Sequence, residues 1–180
     1  MTRVDSTWRP ADWLGLVRVR LGIRRAAYAV RPGLYAFGAP DRNSPVLAAA
    51  NYKYSFDSLR AGLEGLSGAW ILVLDTKGVN VWCAAGKGTF GTAELVRRIK
   101  AVRLNRVVDH RLLILPQLGA PGVAGHEVVK GCGFKVCWGP VRAEDIPAFL
   151  AAGRKASPEM RRVRFDLADR LAVAPVELVQ

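Results

Sequence analysis

Trp70-Ile-Leu-Val-Leu74 is five apolar residues in a row with no polar alternation. A strand with one face in water alternates apolar and polar residues, so an unbroken run marks a strand covered on both faces. Comparable segments stand at Gly33–Gly38, Val46–Ala50, Leu112–Leu115 and Lys135–Trp138. Helical spacing fills the intervals. Ser55 or Asp57 is expected to cap a helix carrying Leu59 and Leu63, and Leu95, Ile99 and Val102 stripe a helix from Thr92 to Val102. Val123–Lys130 reads as a short helix ended by Gly131, and Asp145–Ala152 as another closed by Gly153. Buried strands alternating with helices predict an α/β fold: a doubly wound, mainly parallel, Rossmann-like sheet.

The 180 residues have room for one core, and folding at this length buries about 70% of the surface the unfolded chain exposes. Residues 1–31 read as an N-terminal amphipathic segment packed on the domain. Its helix is expected from Trp8 to Gly22, with Trp13, Leu14, Val17 and Leu21 along one side. Residues 32–156 form the α/β domain, and 157–180 an Arg-rich extension. Apolar residues at 51% and charged residues at 23% match a soluble globule. No apolar run reaches membrane-spanning length, and Arg18 and Arg20 interrupt any secretory apolar region. The expectation is a soluble, cytoplasmic chain.

Net charge is +12, with seven Arg against two Asp in residues 1–35 and a second basic stretch over 95–111. Such a surface fits solvated helix faces, an acidic protein or a lipid headgroup surface. No zinc-finger spacing or nucleic-acid-binding strand motif accompanies the charge, so nucleic acid is not an expected partner.

Ligands of open α/β sheets bind outside the carboxyl ends of the strands. That rule selects Asn51-Tyr52, Asp75-Thr76-Lys77, Gln117–Gly122 and Gly139-Pro140. Past the third of these buried runs comes Asn80-Val81-Trp82-Cys83-Ala84-Ala85-Gly86-Lys87. Gly86, Gly88 and Gly91 spell a dinucleotide fingerprint, but they stand too far beyond Leu74, and a phosphate-binding P-loop fails as well. Asn80 is a good helix N-cap, which puts Cys83 in the first turn with Lys87 one turn on. Cysteines in first turns beside cations are favoured as thiolates, and small neighbours let something large and flat approach. A soft thiolate facing an open site suits a soft metal or a metal-bearing cofactor. The alternatives for Cys83 are a buried packing residue or a nucleophile, though neither His110 nor His126 has a neighbour that marks it as a base. Cys132 and Cys137 lack paired-ligand spacing and read as packing residues; an odd cysteine count argues for a reducing compartment.

This stretch resembles the cap-helix signature of the corrinoid protein of microbial mercury methylation, the HgcA family. The likeness extends to Pro32–Ala36, Ser44–Leu47, Ala50–Lys53, Ile71–Gly78, Leu115–Gly122 and Gly139–Phe149. More distantly, the domain is similar to the corrinoid domain of the corrinoid iron–sulfur protein of the acetyl-CoA pathway. The resemblance implies a base-off, cobalamin-type corrinoid with Cys83 as lower axial cobalt ligand and catalytic residue. It implies a cofactor site of Asn51, Thr76, Asn80, Val81, Trp82, Cys83, Ala84, Ala85, Gly86, Lys87, Gln117, Gly119 and Gly139. The reaction implied is methyl transfer from methylated cobalt to Hg(II), forming methylmercury. The partners would be an HgcB-type ferredoxin with iron–sulfur clusters, and a methyl donor protein or methylated folate system. Family members continue past Pro175–Leu178 into membrane helices that hold them at the cytoplasmic face of the inner membrane. The alternative is a corrinoid-binding methyl carrier of the acetyl-CoA-pathway type serving another acceptor.

Overall fold

The computed structural model describes residues 2–20 and 28–164. Six strands form one sheet: β1 (Thr2–Val4), β2 (Gly33–Gly38), β3 (Val46–Ala50), β4 (Gly68–Leu74), β5 (Leu112–Leu115) and β6 (Lys135–Trp138). Their order is β1-β2-β4-β3-β5-β6, and every neighbouring pair is parallel except β2–β4. The helices are α1 (Pro10–Arg20), α2 (Lys53–Gly62), α3 (Val81–Gly86), α4 (Thr92–Ala101), α5 (Leu104–Val107), α6 (Gly125–Cys132) and α7 (Ile146–Ala151). The fold is the α/β, mostly parallel, Rossmann-like architecture that the apolar runs predict.

All seven residues of β4 are buried, because each face of this central strand meets its own cluster of apolar side chains. Trp70, Leu72 and Leu74 pack with Leu95 and Ile99 of α4 and Val128 of α6; Ala69, Ile71 and Val73 pack with Phe56 and Leu59 of α2 and Phe149 of α7. The chain leaves β3 through α2 to reach β4 on one side, then crosses back through α3 and α4 to β5 on the other. The order therefore reverses at β3, whose pairing with β5 is reduced to the single register Leu47↔Ile114. A crevice between the carboxyl ends of these two strands follows from that topology.

Local departures have physical causes. Helix α2 starts at Lys53 behind Tyr52, so neither Ser55 nor Asp57 is its cap; Asp57 is instead buried, and held by Arg60 and Lys53. Helix α6 begins at Gly125 and runs on to Cys132, because the left-handed residue that ends it is Gly133 (φ 77°) rather than Gly131. The three-residue β1 and the four-residue α5 are too short to give a periodic signal.

The largest departure is in α1. Asp12, Leu16 and Val19 face inward, while Trp13, Leu14 and Val17 are each more than half exposed. The inward face is chosen by charge. Asp12 accepts from Arg60 Nη2 at 2.7 Å and from Lys53 Nζ at 2.6 Å; Arg60 also bonds Asp57 at 2.9 Å and the carbonyls of Asp5 and Thr7. This buried network turns the expected apolar stripe outward. Leu21, Gly22 and the Pro175–Leu178 region lie outside the described residues.

Candidate functional site

A hydrogen-bonded scaffold supports the turn after β4. Asn51, directly behind β3 and buried, offers its Oδ1 to the backbone amides of Thr76 (3.0 Å) and Gly78 (2.9 Å). The Thr76 hydroxyl, fully buried, lies 2.8 Å from the same oxygen and 2.6 Å from the Val79 carbonyl; its one proton serves one of the two. Lys77 takes a left-handed conformation (φ 58°) at the apex, tied back to Asp75 at 2.8 Å. The hydrogen bond from Lys77 holds the Asp75 carboxyl below its usual range. Asn80 then leaves the turn extended (φ −64°, ψ 164°), and its side-chain oxygen accepts from the Cys83 amide at 2.9 Å. That is the N-cap the sequence predicts, and it starts α3.

Helix α3 is pinned from below. Ala84 and Ala85 are buried, and the amides of Thr89 and Phe90 both donate to the Ala84 carbonyl. Gly122, in the 3-10 turn over 117–122, sits so close that a Cβ there would meet the Phe90 carbonyl oxygen and lie 3.0 Å from the Ala85 Cα. Gly119 in the same turn packs under the Phe90 ring. The upper side of α3 is open: Trp82 is 65% exposed, and Cys83, Gly86 and Lys87 are exposed too.

Two hollows flank the start of this helix. One is an apolar slot of about 310 Å³, running between β3 and β5 from their carboxyl ends. It is lined by Ala48–Ala50, Ser55 and Ser58 of α2, Leu115, Leu118 and Gly139, with Asn80, Val81 and Trp82 at its rim. The other, about 400 Å³ and more open, is lined by Tyr52, Lys77–Asn80, Cys83 and Lys87. Asn80 borders both. Lys87 has no ion-pair partner among the described residues, so the second hollow combines a thiol with a free ammonium.

The candidate residues are thus drawn together unequally. Asn80, Val81, Trp82 and Gly139 line the slot; Asn80, Cys83 and Lys87 line the open hollow. Ala84 and Ala85 form the buried underside of α3, and Gly119 lies in the turn packed against it. Asn51 and Thr76 act underneath the turn, and Gln117 spends its side-chain oxygen on Arg161 at 2.8 Å. Tyr54, Ser55 and Ser58 escape the sequence reading of the site, whereas Tyr52 and Leu118 fall within the strand-end segments it selects. The signal for these three was present: only two residues separate β3 from α2, so the first turns of α2 must stand at the same strand end as Asn51.

Cys132 donates to the Val128 carbonyl at 3.2 Å within α6, and burial pushes the Cys137 thiol up. Both pack against the apolar clusters. His110 contacts the Ser44 carbonyl at 2.9 Å. No group of three metal-ligating side chains occurs among the described residues. No helix among them is long and apolar enough to cross a membrane.

Asn51→Ala is expected to strand the Thr76 and Gly78 amides and cost about 1–3 kcal/mol. Hydrogen exchange should then rise over residues 76–83 while β4 stays protected. Uniform exchange across both would show that Asn51 does not govern the turn.

Fold and site together define an open α/β domain with two hollows at the switch point of its sheet, beside a short helix presenting a thiol. Residues 20–150 match the family model described as CO dehydrogenase/acetyl-CoA synthase delta subunit, and the chain belongs to that family. The acetyl-CoA decarbonylase/synthase complex subunit gamma of Methanopyrus kandleri is 34% identical over 128 residues, 70% of this chain and 27% of the relative. The same subunit of Methanothermobacter thermautotrophicus is 33% identical over 127 residues, again 70% and 27%. The corrinoid/iron-sulfur protein large subunit of Moorella thermoacetica is 30% identical over 124 residues, 68% and 27%. The chain therefore spans about a quarter of the length of these relatives. Of the two likenesses drawn from the sequence, these matches bear out the acetyl-CoA-pathway one.

Proposed function

We propose that the chain is a corrinoid-binding domain that carries a methyl group, of the acetyl-CoA-pathway type. The observation that carries this reading is an exposed thiol on an N-capped turn at the mouth of a switch-point slot, in a chain similar to a corrinoid/iron-sulfur protein. The residues present fit such a group. Ala48–Ala50 and Gly139 leave the slot wide enough for the flat heterocycle of a corrinoid's nucleotide tail, and the broader hollow with Cys83 is open to a large ring. A corrinoid, when bound, supplies a cobalt centre that accepts a methyl group and gives it up.

The chain's own residues then have separate tasks. Cys83 would offer a soft donor to the cobalt. Asn80 fixes the Cys83 backbone, and Asn51 and Thr76 fix the turn that carries Asn80. Val81 and Trp82, which line the slot, would offer a bound corrinoid apolar cover, exposed Gly86 would leave room for it, and Lys87 would supply a positive charge for its polar substituents. Ala84, Ala85 and Gly119 allow α3 to sit low. Gln117, held by Arg161, would border the cofactor from the turn after β5.

The Asn80–Lys87 stretch with its cysteine favours a second, narrower reading: Hg(II) as methyl acceptor, with methylmercury as product. An iron–sulfur ferredoxin of the HgcB type would serve as reductant, and a methylated folate or its protein carrier as donor. Both readings share one binding test. The chain, titrated with aquocobalamin under reducing conditions, should bind it in base-off form and thereby shield Cys83 from iodoacetamide. No binding, or binding that leaves Cys83 equally reactive, defeats the shared reading. Methylmercury formation from methylcobalamin-loaded chain and Hg(II) then separates the second reading from the first.

A further inference from the structure

The outward face of α1 is unusual for a helix that also has an inward face. Leu16 and Val19 are buried, yet Trp13, Leu14 and Val17 on the opposite side are 56%, 51% and 52% exposed. Rotation cannot hide them, because Asp12 is locked into the buried network of Arg60, Lys53 and Asp57. Trp13 packs against Trp8 with ring centroids 4.8 Å apart and planes tilted by 39°, and Trp8 meets Tyr54 edge-on at 6.3 Å. A rigid aromatic and aliphatic patch therefore stands on the surface, next to the helix that lines the slot.

Arginine dominates the exposed charge of residues 2–20, although Asp5 pairs with Arg9. Arg3, Arg9 and Arg18 are exposed; Asp5 is the only exposed acid in residues 2–20, since Asp12 is buried. Arg18 makes no ion pair among the described residues. Tryptophan and leucine on an exposed helix face, rimmed by arginine, is the chemistry that seats a helix in a lipid headgroup layer. The arginines supply attraction to anionic lipid, and the apolar side chains supply depth.

We propose that the Trp13–Leu14–Val17 face of α1 docks on an anionic membrane surface. The inference is independent of the cofactor reading. An acidic protein would meet the same arginines, but a helix face of tryptophan, leucine and valine flanked by arginine is the composition of a helix lying in a lipid interface.

The test is co-sedimentation of the full chain with vesicles of phosphatidylcholine containing phosphatidylglycerol, against phosphatidylcholine alone. Wild-type chain should partition onto the anionic vesicles and be released by high salt. Trp13→Gln/Leu14→Gln/Val17→Gln should lose on the order of tenfold or more in partitioning. Arg18→Glu, a single exposed change, should weaken anionic binding severalfold and serves if the triple variant misfolds by circular dichroism. The proposal is overturned if wild type does not bind, if it binds neutral vesicles equally well, or if both variants bind as wild type. It is also overturned if wild type is a dimer in solution and the triple variant a monomer, because a second copy then covers the face.

Discussion

Cys83→Ala should melt within a degree or two of the wild type yet lose the sulfur-dependent part of its bound-cobalamin spectrum and more than about tenfold of its methyl transfer. The stability half of this follows from the site. The thiol is exposed, the α3 cap bonds the backbone amide at residue 83, and alanine is the better helix former. The functional half rests on the proposed cobalt ligation by Cys83: outer partners of a metal ligand already cost about 10–100-fold when removed, so losing the ligand itself would cost at least as much. Cys83→Ser keeps size and polarity but not softness, and should resemble alanine in the spectrum. Identical spectra for wild type and alanine would return Cys83 to a surface role.

Arg60→Ala should destabilise the chain by about 3–5 kcal/mol, the range for breaking a buried ion pair from one side. Arg60 is 6% exposed and bonds Asp57 and Asp12, so its loss leaves Asp57, 1% exposed, with Lys53 as its remaining cationic partner. Strand β1 and helix α1 should loosen first, because the carbonyls of Asp5 and Thr7 rest on the same guanidinium. Urea unfolding measures the total, and hydrogen exchange over residues 2–20 measures the place. A loss below 1 kcal/mol would mean that water replaces the guanidinium easily. Acid should mimic the variant. Burial raises the Asp12 carboxyl, but hydrogen bonds from Lys53 and the Arg9 amide, with the charges of Lys53 and Arg60, hold it below its ordinary 3.8. Its contribution is therefore complete above the ordinary value and fades as pH falls through the lower folded one.

The strands were legible because burial on both faces writes itself as unbroken apolar runs. Val46–Ala50 and Trp70–Leu74 lie within strands whose every residue is buried. The antiparallel pairing of β2 with β4 was not, since nothing in Gly33–Gly38 records the direction of its neighbour. Helix α1 was misleading for a different reason. Its apolar side chains occupy both faces, and the choice between them is made by Arg60, 48 positions from Asp12. In the site, the Asn80 cap was legible because capping is local: three residues separate donor and acceptor. The support from Asn51 was not, since 25 residues separate it from Thr76 and only the parallel register of β3 with β4 joins their ends. Asn51 and Thr76 were selected for standing at strand ends, and the structure adds what they do there.

Asn80 grips the amide of residue 83 and never its side chain. Every amino acid except proline supplies that amide. The identity of the side chain over the open hollow is therefore uncoupled from folding, and a library of substitutions at this one position would vary donor strength across a constant backbone.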